Sequence, residues 1–312
     1  MRAAEEREPS KEAATTAGDA RPEVVKTRRG DVECAFLGSG PAVLSLHGAM
    51  GGYDQALLLA RTAGVPGFRY VAPSRPGYLG TPLSLGKTPT EQADLYRDLL
   101  DALGIEKAAV MAISGGGPSA LQFALGHPDR CWGLVIISSV CTRVETRLPL
   151  AWYILRLTAR CGPLISVMRR KAEQDPERSA RRSIPDPEVR ARTLRDPEAG
   201  ALLRELQLST FDRMNLRLPG SENDVAITRH DQGFALERIK APLLVVHGTN
   251  DKAAPFAQAE ILTARVPGAE LLAIEKGEHV SIFTDRDRVR ARVGQFLRAH
   301  APAESATPTV PS

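Results

Sequence analysis

"AVMAISGGGPSALQFALGHPDR", residues 109–130, joins an apolar run to a helix-like pattern through Ser114 and three consecutive glycines. Two kinds of site use a glycine-rich turn between a strand and a helix. One binds a phosphate through backbone amides, and the other exposes a nucleophilic side chain. The two sites require different residues elsewhere in the chain, so the rest of the sequence can distinguish them.

A phosphate site agrees with part of the pattern. Gly115, Gly117 and Ala120 match the spacing G-x-G-x-x-A of a dinucleotide-binding turn. That site also needs an acidic residue about 20 residues further on, at the end of the next strand, where this chain has Ser138 and Ser139. The motif G-x-x-x-x-G-K-[ST] is absent from the sequence. The phosphate interpretation is therefore the weaker one.

A nucleophile turn agrees with more of the chain. Such a turn needs small residues two positions before and after the nucleophile, and Ala112 and Gly116 hold those positions around Ser114. A serine hydroxyl also needs a base, which a carboxylate orients. The expected order is serine, acid after a later strand, then histidine after the last strand. Asp251 in "PLLVVHGTNDKAAP" and His279 in "ELLAIEKGEHVSIFTD" satisfy that order.

Other residues compete for these roles. Ser114 also suits a helix N-cap. Among the five interior histidines, only His279 follows the last predicted strand, and Glu278 adjoins it too closely in sequence to orient its ring. The remaining rivals for base and acid are His47, His127, His230, His247, Asp231 and Asp285. We therefore predict Ser114, His279 and Asp251 as nucleophile, base and orienting acid.

A second small-residue loop, "AVLSLHGAMGG", follows an earlier strand. A backbone amide from this loop and the amide after the nucleophile together form an oxyanion hole in sites of this kind. We predict the amides of Ala49 and Gly115 as these two donors. His47, Met50 and His230 are the candidate substrate-binding residues.

Eight short apolar runs predict the strands. They have almost no polar alternation, which is typical of strands covered on both faces. The runs are "EVVKT", "VECAFLG", "PAVLSLHG", "FRYVAPS", "AAVMAIS", "GLVIIS", "PLLVVHG" and "AELLAIEKG". Helical patterns separate several of them, the clearest being "TPTEQADLYRDLLDALG", which begins with the capping box of Thr88 and Glu91. The sequence thus predicts an α/β protein with a mostly parallel sheet between layers of helices.

The chain divides into a core, an insertion and two tails. Residues 140–238 carry helical patterns and no convincing strand, which predicts a helical cap over the ligand-binding edge of the sheet. The core comprises residues 23–139 and 239–300. Residues 1–22 and 301–312 lack apolar periodicity and are predicted to be disordered tails.

The combined motifs resemble the α/β-hydrolase superfamily from about Glu23 to His300. The resemblance rests on the His47-Gly48 turn, "APSRPGYLGTP", the Ser114 turn and the loops of Asp251 and His279, in the family's order. It implies a central, mostly parallel eight-stranded sheet with a helical cap. Two positions depart from the family pattern: Ser74 replaces an aspartate, and Ala112 replaces the first glycine of the turn.

Composition narrows the possible partners. The 312 residues are 43% hydrophobic and 25% charged, with a net charge of +4 and a pI near 9.0. This small basic excess favours a solvated arginine-rich surface over nucleic-acid binding. Arg156 and Arg160 interrupt the longest apolar stretch, so no membrane span is expected. The N-terminus lacks the apolar core of a signal peptide, which predicts a cytoplasmic protein. The sequence leaves open whether the protein forms a homodimer.

The leading hypothesis is a serine hydrolase that cleaves a small or medium apolar ester, thioester or lactone through an acyl-enzyme. The substrate is a small-molecule acyl compound, with neither cofactor nor metal. One alternative keeps the same three residues in a hydrolase of carbon–carbon bonds or a cofactor-free perhydrolase. Another is a non-catalytic ligand-binding protein on the same scaffold.

Overall fold

The computed structural model describes residues 21–144, 150–230 and 232–302. These residues form eight β-strands and twelve α-helices. The strands are β1 (Glu23–Thr27), β2 (Gly30–Leu37), β3 (Ala42–Leu46), β4 (Arg69–Pro73), β5 (Ala108–Ile113), β6 (Cys131–Ile137), β7 (Leu243–Gly248) and β8 (Glu270–Ile274). The helices are α1 (Tyr53–Ala63), α2 (Pro89–Ala102), α3 (Gly117–Gly126), α4 (Leu150–Thr158), α5 (Gly162–Gln174), α6 (Pro176–Ala180), α7 (Pro187–Arg195), α8 (Pro197–Ser209), α9 (Leu218–Thr228), α10 (Ala257–Arg265), α11 (Ser281–Thr284) and α12 (Arg286–His300).

The eight strands form one sheet in the order β1-β2-β4-β3-β5-β6-β7-β8. β2 pairs antiparallel with both β1 and β4, and every other pair is parallel. Each of the eight apolar runs of the sequence corresponds to one strand. The prediction of an α/β-hydrolase fold with a mostly parallel eight-stranded sheet is therefore confirmed.

Both faces of the sheet are covered from β3 to β7, which explains the continuous apolar runs of these strands. In β5, Val110 and Ala112 face a hydrophobic cluster that includes side chains of α2 and α3. Ala109 and Met111 alternate with them and face a second cluster, which includes Leu58 of α1 and side chains of α12. Because side chains of a strand alternate between faces, a strand buried on both sides is apolar along most of its length.

Helix α2 begins where the sequence predicts. The Thr88 hydroxyl accepts a hydrogen bond from the Glu91 amide, and the Glu91 carboxylate accepts one from the Thr88 amide, so the capping box is formed. The chain leaves the helix through Gly104, whose φ of +65° lies in the left-handed region.

The described residues between β6 and β7 form helices α4 to α9 and no strand; we call this part of the chain the inserted segment. It is tied to the core next to α9, where Arg217 pairs with Asp54 of α1 at 2.6 Å. The Gly220 amide also donates to the Gly77 carbonyl at 2.8 Å. Most of the predicted tails, 1–22 and 301–312, lies outside the described residues. None of the described helices is long and apolar enough to cross a membrane.

Candidate active site

Ser114 stands on a strained turn at the carboxyl end of β5. Its φ is +51°, a left-handed conformation that is rare for residues other than glycine. The turn leads directly into α3, so the side chain is held at the top of the sheet. Ser139, at the end of β6, donates its hydroxyl to the Ser114 carbonyl at 2.5 Å and so fixes the turn from the neighbouring strand.

Close packing explains the glycines after Ser114. A Cβ atom on Gly117 would lie 1.9 Å from Ser139 Oγ, so any side chain there would displace the hydroxyl that holds the turn. At Gly116 a Cβ atom would lie 2.9 Å from the His47 carbonyl oxygen. The turn therefore needs glycine at both positions, and the sequence had explained only Gly116.

The structure brings Ser114, His279 and Asp251 into one hydrogen-bonded chain. Ser114 Oγ lies 3.0 Å from His279 Nε2, and His279 Nδ1 lies 2.8 Å from Asp251 Oδ2. Asp251 Oδ1 accepts hydrogen bonds from the amides of Ala253 and Ala254, both at 2.9 Å. These contacts fix the carboxylate through one oxygen and leave the other for the imidazole.

The electrostatics keep Asp251 ionised. Burial alone raises the pKa of the carboxyl, but the hydrogen bond and charge of His279 and the Ala254 amide outweigh it and lower the pKa below its ordinary value. An ionised Asp251 accepts from His279 Nδ1–H, which leaves Nε2 free to accept a proton from Ser114. This arrangement can activate a serine hydroxyl.

The loop after β3 lies against this serine. A Cβ atom on Gly48 would lie 3.1 Å from Ser114 Cβ, so glycine permits the close approach. Within the part of the chain that the structure describes, the amides of Ala49 and Gly115 donate no hydrogen bond. Two free amides beside a nucleophile are suited to binding an oxyanion.

A cavity of about 110 Å³ adjoins Ser114. Its described walls are mostly small and apolar, with one charged residue, Asp224. The lining comprises Ala49, Ser114, Gly115, Ser138, Ser139, Val140, Val144, Asp224, Val225, Thr228, Ala253 and Ala254. Thr228 and Val225 belong to α9, so the inserted segment closes one side of the cavity.

The three candidate substrate-binding residues lie outside that lining. His47 has no exposed surface. Met50 packs with Ile165, Met214 and other residues of the inserted segment. His230 is exposed after the end of α9. The sequence indicated His47 and Met50 because they flank Ala49, and His230 because it stands in the predicted cap, but position in the chain does not determine where a side chain lies.

His47 instead supports the loop that carries Ala49. The Arg75 amide donates to His47 Nε2 at 3.0 Å, so the ring proton resides on Nδ1 and is donated to the Gly48 carbonyl at 2.7 Å. Burial, followed by the charge of Arg75, holds the pKa of His47 well below its ordinary value of 6.5. The ring is therefore neutral, with both nitrogens engaged.

Two of the remaining rivals, Asp285 and His247, make other contacts. Asp285 accepts a hydrogen bond from the Thr284 hydroxyl at 2.7 Å. Asp231 lies outside the described residues. His247 Nε2 lies 3.5 Å from Asp251 Oδ2 and 2.7 Å from the Ala254 carbonyl oxygen. Ser74, the departure from the family pattern, is buried and donates to Glu33 at 2.7 Å while accepting from the Tyr53 amide, so it anchors its own loop.

Two buried histidines predict how stability depends on pH. Burial lowers the pKa of His247 as well as that of His47. Below pH 6.5 the unfolded chain therefore binds protons that the folded chain does not, and the free energy of unfolding decreases as the pH falls from 7.5 to 5.5. Each histidine contributes up to about 1.4 kcal/mol per pH unit. Urea unfolding at the two pH values measures the slope.

The variant His47→Asn is the control for this slope, because it removes one titrating ring. Its free energy of unfolding should vary less between pH 7.5 and 5.5 than that of the wild type. Asp251 does not interfere, since its lowered pKa places its own effect below about pH 4. A wild-type protein that gained stability on acidification would contradict the prediction.

The fold and the geometry of the site define a class of protein. Comparison with known proteins identifies this class. The model of the alpha/beta hydrolase fold matches residues 41–286, and the chain belongs to this family. The prediction of an α/β-hydrolase enzyme is thereby confirmed.

Individual relatives agree with this assignment. An alpha/beta hydrolase fold protein from Nakamurella multipartita is 34% identical with a TM-score of 0.79, covering 89% of this chain and 99% of that one. The uncharacterized hydrolase YcgS of Bacillus subtilis is 28% identical over 83% of this chain and 92% of its own. A 2-hydroxy-6-oxononadienedioate/2-hydroxy-6-oxononatrienedioate hydrolase of Paraburkholderia phymatum is 25% identical over 74% and 77% of the two chains.

Proposed function

We propose that the protein is a serine hydrolase that cleaves esters, thioesters or lactones with a short, uncharged acyl group. The observation that carries the proposal is the chain of contacts from Ser114 Oγ through His279 to Asp251, at 3.0 and 2.8 Å, beside a cavity of about 110 Å³. A hydroxyl with a base in reach and an oriented carboxylate behind the base is the arrangement that nucleophilic catalysis requires.

In the first half of the reaction, Ser114 Oγ attacks the acyl carbon while His279 Nε2 takes its proton. The amides of Ala49 and Gly115 stabilise the negative charge that develops on the carbonyl oxygen. As the intermediate collapses, the bond to the leaving group breaks, and His279 returns the proton to the departing alcohol or thiol. The acyl group remains on Ser114 as an ester.

In the second half, water attacks the acyl-enzyme and gives its proton to His279. The bond between the acyl carbon and Ser114 Oγ breaks, His279 returns the proton to the serine, and a carboxylic acid leaves. Asp251 holds the imidazole in the required tautomer during both halves and stabilises the imidazolium. Neither half requires a co-reactant other than water.

The charge of the cavity favours this reaction over carbon–carbon bond cleavage. The relative from Paraburkholderia phymatum is named for a substrate with two carboxylates. Among the described residues that line the cavity here, the charged residue is Asp224, so this lining offers no cation to a substrate carboxylate. The nearby cation, Arg75, is already paired with Asp224 at 2.5 Å. A neutral acyl group fits these surroundings better.

The test is a series of p-nitrophenyl esters with acetyl, butyryl and octanoyl groups. The cavity of about 110 Å³ is small, and α9 closes one side of it, which favours a short acyl group. We expect kcat/KM for acetyl and butyryl esters to exceed that for octanoyl esters by about tenfold or more, since overpacking costs about 1–3 kcal/mol. A fluorophosphonate should label the protein at Ser114.

Other results would favour the alternatives. Turnover of a dienedioate but of no ester would support carbon–carbon bond cleavage. Turnover of acetate only together with peroxide would support a perhydrolase. Absence of labelling and of turnover, combined with tight binding of a small ligand, would support a binding protein.

A further inference from the structure

A buried cation connects the inserted segment to the turn of Ser114. Arg75, on the loop after β4, is 1% exposed. Its Nη1 donates to the Gly115 carbonyl at 3.0 Å, and its Nη2 donates to the Gly48 carbonyl at 3.4 Å. One guanidinium group therefore touches both loops that provide the amides of the proposed oxyanion hole.

The partner of this cation comes from the inserted segment. Asp224 of α9 accepts from Arg75 Nη1 at 2.9 Å and from Nη2 at 2.5 Å, a bidentate pair. The Tyr78 hydroxyl donates to the same carboxylate at 2.5 Å. All three side chains are buried, so the network is formed only while α9 is seated on the core. A Cβ atom on Gly115 would lie 2.6 Å from Asp224 Oδ2, which shows how closely α9 packs on the turn.

The contact with Gly48 orients the amide of Ala49. The Gly48 carbonyl and the Ala49 N–H belong to one planar peptide unit, so fixing the oxygen fixes the direction of the N–H. Arg75 and His47 both donate to that oxygen. A peptide whose carbonyl accepts such bonds is polarised, which also makes its N–H a stronger donor.

The charge of Asp224 must also be neutralised for the hole to function. Its carboxylate lines the cavity next to Gly115, close to the region where a carbonyl oxygen would acquire negative charge. An unpaired carboxylate at that position would oppose the oxyanion. Arg75 and Tyr78 together provide three hydrogen bonds that offset it.

We propose that Arg75 and Asp224 are positioning residues of the oxyanion hole. Asp224 acts through Arg75, so that the seating of α9 sets the orientation of the Ala49 amide and the shape of the turn at Gly115. Closure of the inserted segment and assembly of the hole are thus one event. The inference rests on the proposed function, because it concerns the same reaction.

The test is the isosteric variant Asp224→Asn, assayed with a p-nitrophenyl ester that the wild type turns over. The carboxamide cannot accept from both Arg75 nitrogens, since one of its two positions is now an N–H donor. We expect kcat to decrease about 10- to 100-fold with KM within about threefold, because a displaced donor acts mainly in the transition state. Affinity for a trifluoromethyl ketone, which forms a tetrahedral adduct with the serine, should decrease in proportion to kcat/KM. Affinity for the product acid should not change.

The matched control is Glu177→Gln. Glu177 pairs with the largely buried Arg190 at 2.5 Å within the inserted segment, and neither residue is among those that line the cavity. The variant Glu177→Gln makes the same carboxylate-to-amide change in another ion pair of the inserted segment. We expect its kcat and its ketone affinity to stay within about twofold of the wild type.

Tyr78→Phe provides a second, milder variant should Asp224→Asn not fold. It removes one hydrogen bond to Asp224 and keeps the ring, and it should lower kcat and ketone affinity together by a smaller factor of about 3 to 10.

Unchanged kcat in a folded Asp224→Asn or Tyr78→Phe protein would overturn the inference, as would equal losses in ketone and product affinity. Those outcomes leave the proposed function intact, whereas a wild type that hydrolyses no ester and binds no ketone would contradict the proposed function itself.

Discussion

Replacing Ser114 with alanine is expected to lower kcat for ester hydrolysis by about 10⁴-fold or more. Such a loss corresponds to an increase of about 5 kcal/mol in the activation free energy. The physical reason is that no other described hydroxyl has a base at 3.0 Å with a carboxylate behind it. The remaining rate would come from the amides of Ala49 and Gly115, which would still bind an oxyanion when water attacks directly.

The same substitution should barely affect folding. The Ser114 side chain is half-buried and its hydroxyl has one partner, so the free energy of unfolding should change by less than about 1 kcal/mol. Ser179→Ala is the matched control, since Ser179 is also half-buried and its hydroxyl contacts only backbone carbonyls of the inserted segment. The nucleophile assignment fails if Ser114→Ala keeps more than about a tenth of the wild-type kcat, or if Ser179→Ala loses activity to the same extent.

The sheet could be predicted because its information is local. A strand buried on both faces, such as β5 or β6, is apolar at nearly every position, so such a run needs no knowledge of its neighbours to be recognised. Helix α2 was equally clear, since Thr88 and Glu91 form the capping box within one turn. The order of the strands and the antiparallel pairing of β2 with β4 were not predicted, because they depend on contacts between runs that are distant in sequence.

The inserted segment was harder because its helices are short and their partners are distant in sequence. The pattern "EAGALLRELQLSTFDRMN" predicts one helix, whereas α8 ends at Ser209 and a short 3-10 turn follows at Met214–Leu216. Helix α9 was not singled out, because Pro219 and Gly220 stand in its first turn and resemble a loop. Gly220 is required there, since a Cβ atom would lie 2.2 Å from the Tyr78 ring.

The buried network of Arg75, Tyr78 and Asp224 could not be predicted either, because Asp224 is distant in sequence from the other two. Arg75 and Asp224 are separated by 149 positions, and neither stands in a pattern that indicates a buried charge. The sequence signal for this buried charge was Arg75 itself, a single arginine in the run "YVAPSRPGY", whose other residues are apolar or small. Gly117 was left unexplained because its explanation, the hydroxyl of Ser139, comes from the next strand of the sheet.

Asp251→Asn is expected to lower kcat by about 10⁴-fold while leaving the protein folded. The amides of Ala253 and Ala254 both donate to Oδ1, so the asparagine oxygen will occupy that position and its NH₂ group will face His279 Nδ1. The imidazole must then accept at Nδ1 and carry its proton on Nε2. In that tautomer Nε2 cannot accept the Ser114 proton, although every heavy atom of the site stays in place.

Two measurements separate this tautomer effect from a general disturbance of the site. Nitrogen-15 NMR of the histidine rings should report the proton on Nε2 of His279 in Asp251→Asn and on Nδ1 in the wild type. The control is Glu278→Gln, which removes the carboxylate adjacent to His279 in sequence and should keep kcat within about twofold. If Glu278→Gln produced the larger loss, the orienting acid would be Glu278 and the geometry at Asp251 would be structural. Because Asp251 Oδ2 is 2.8 Å from the ring and its other oxygen is held by two amides, we expect the opposite result.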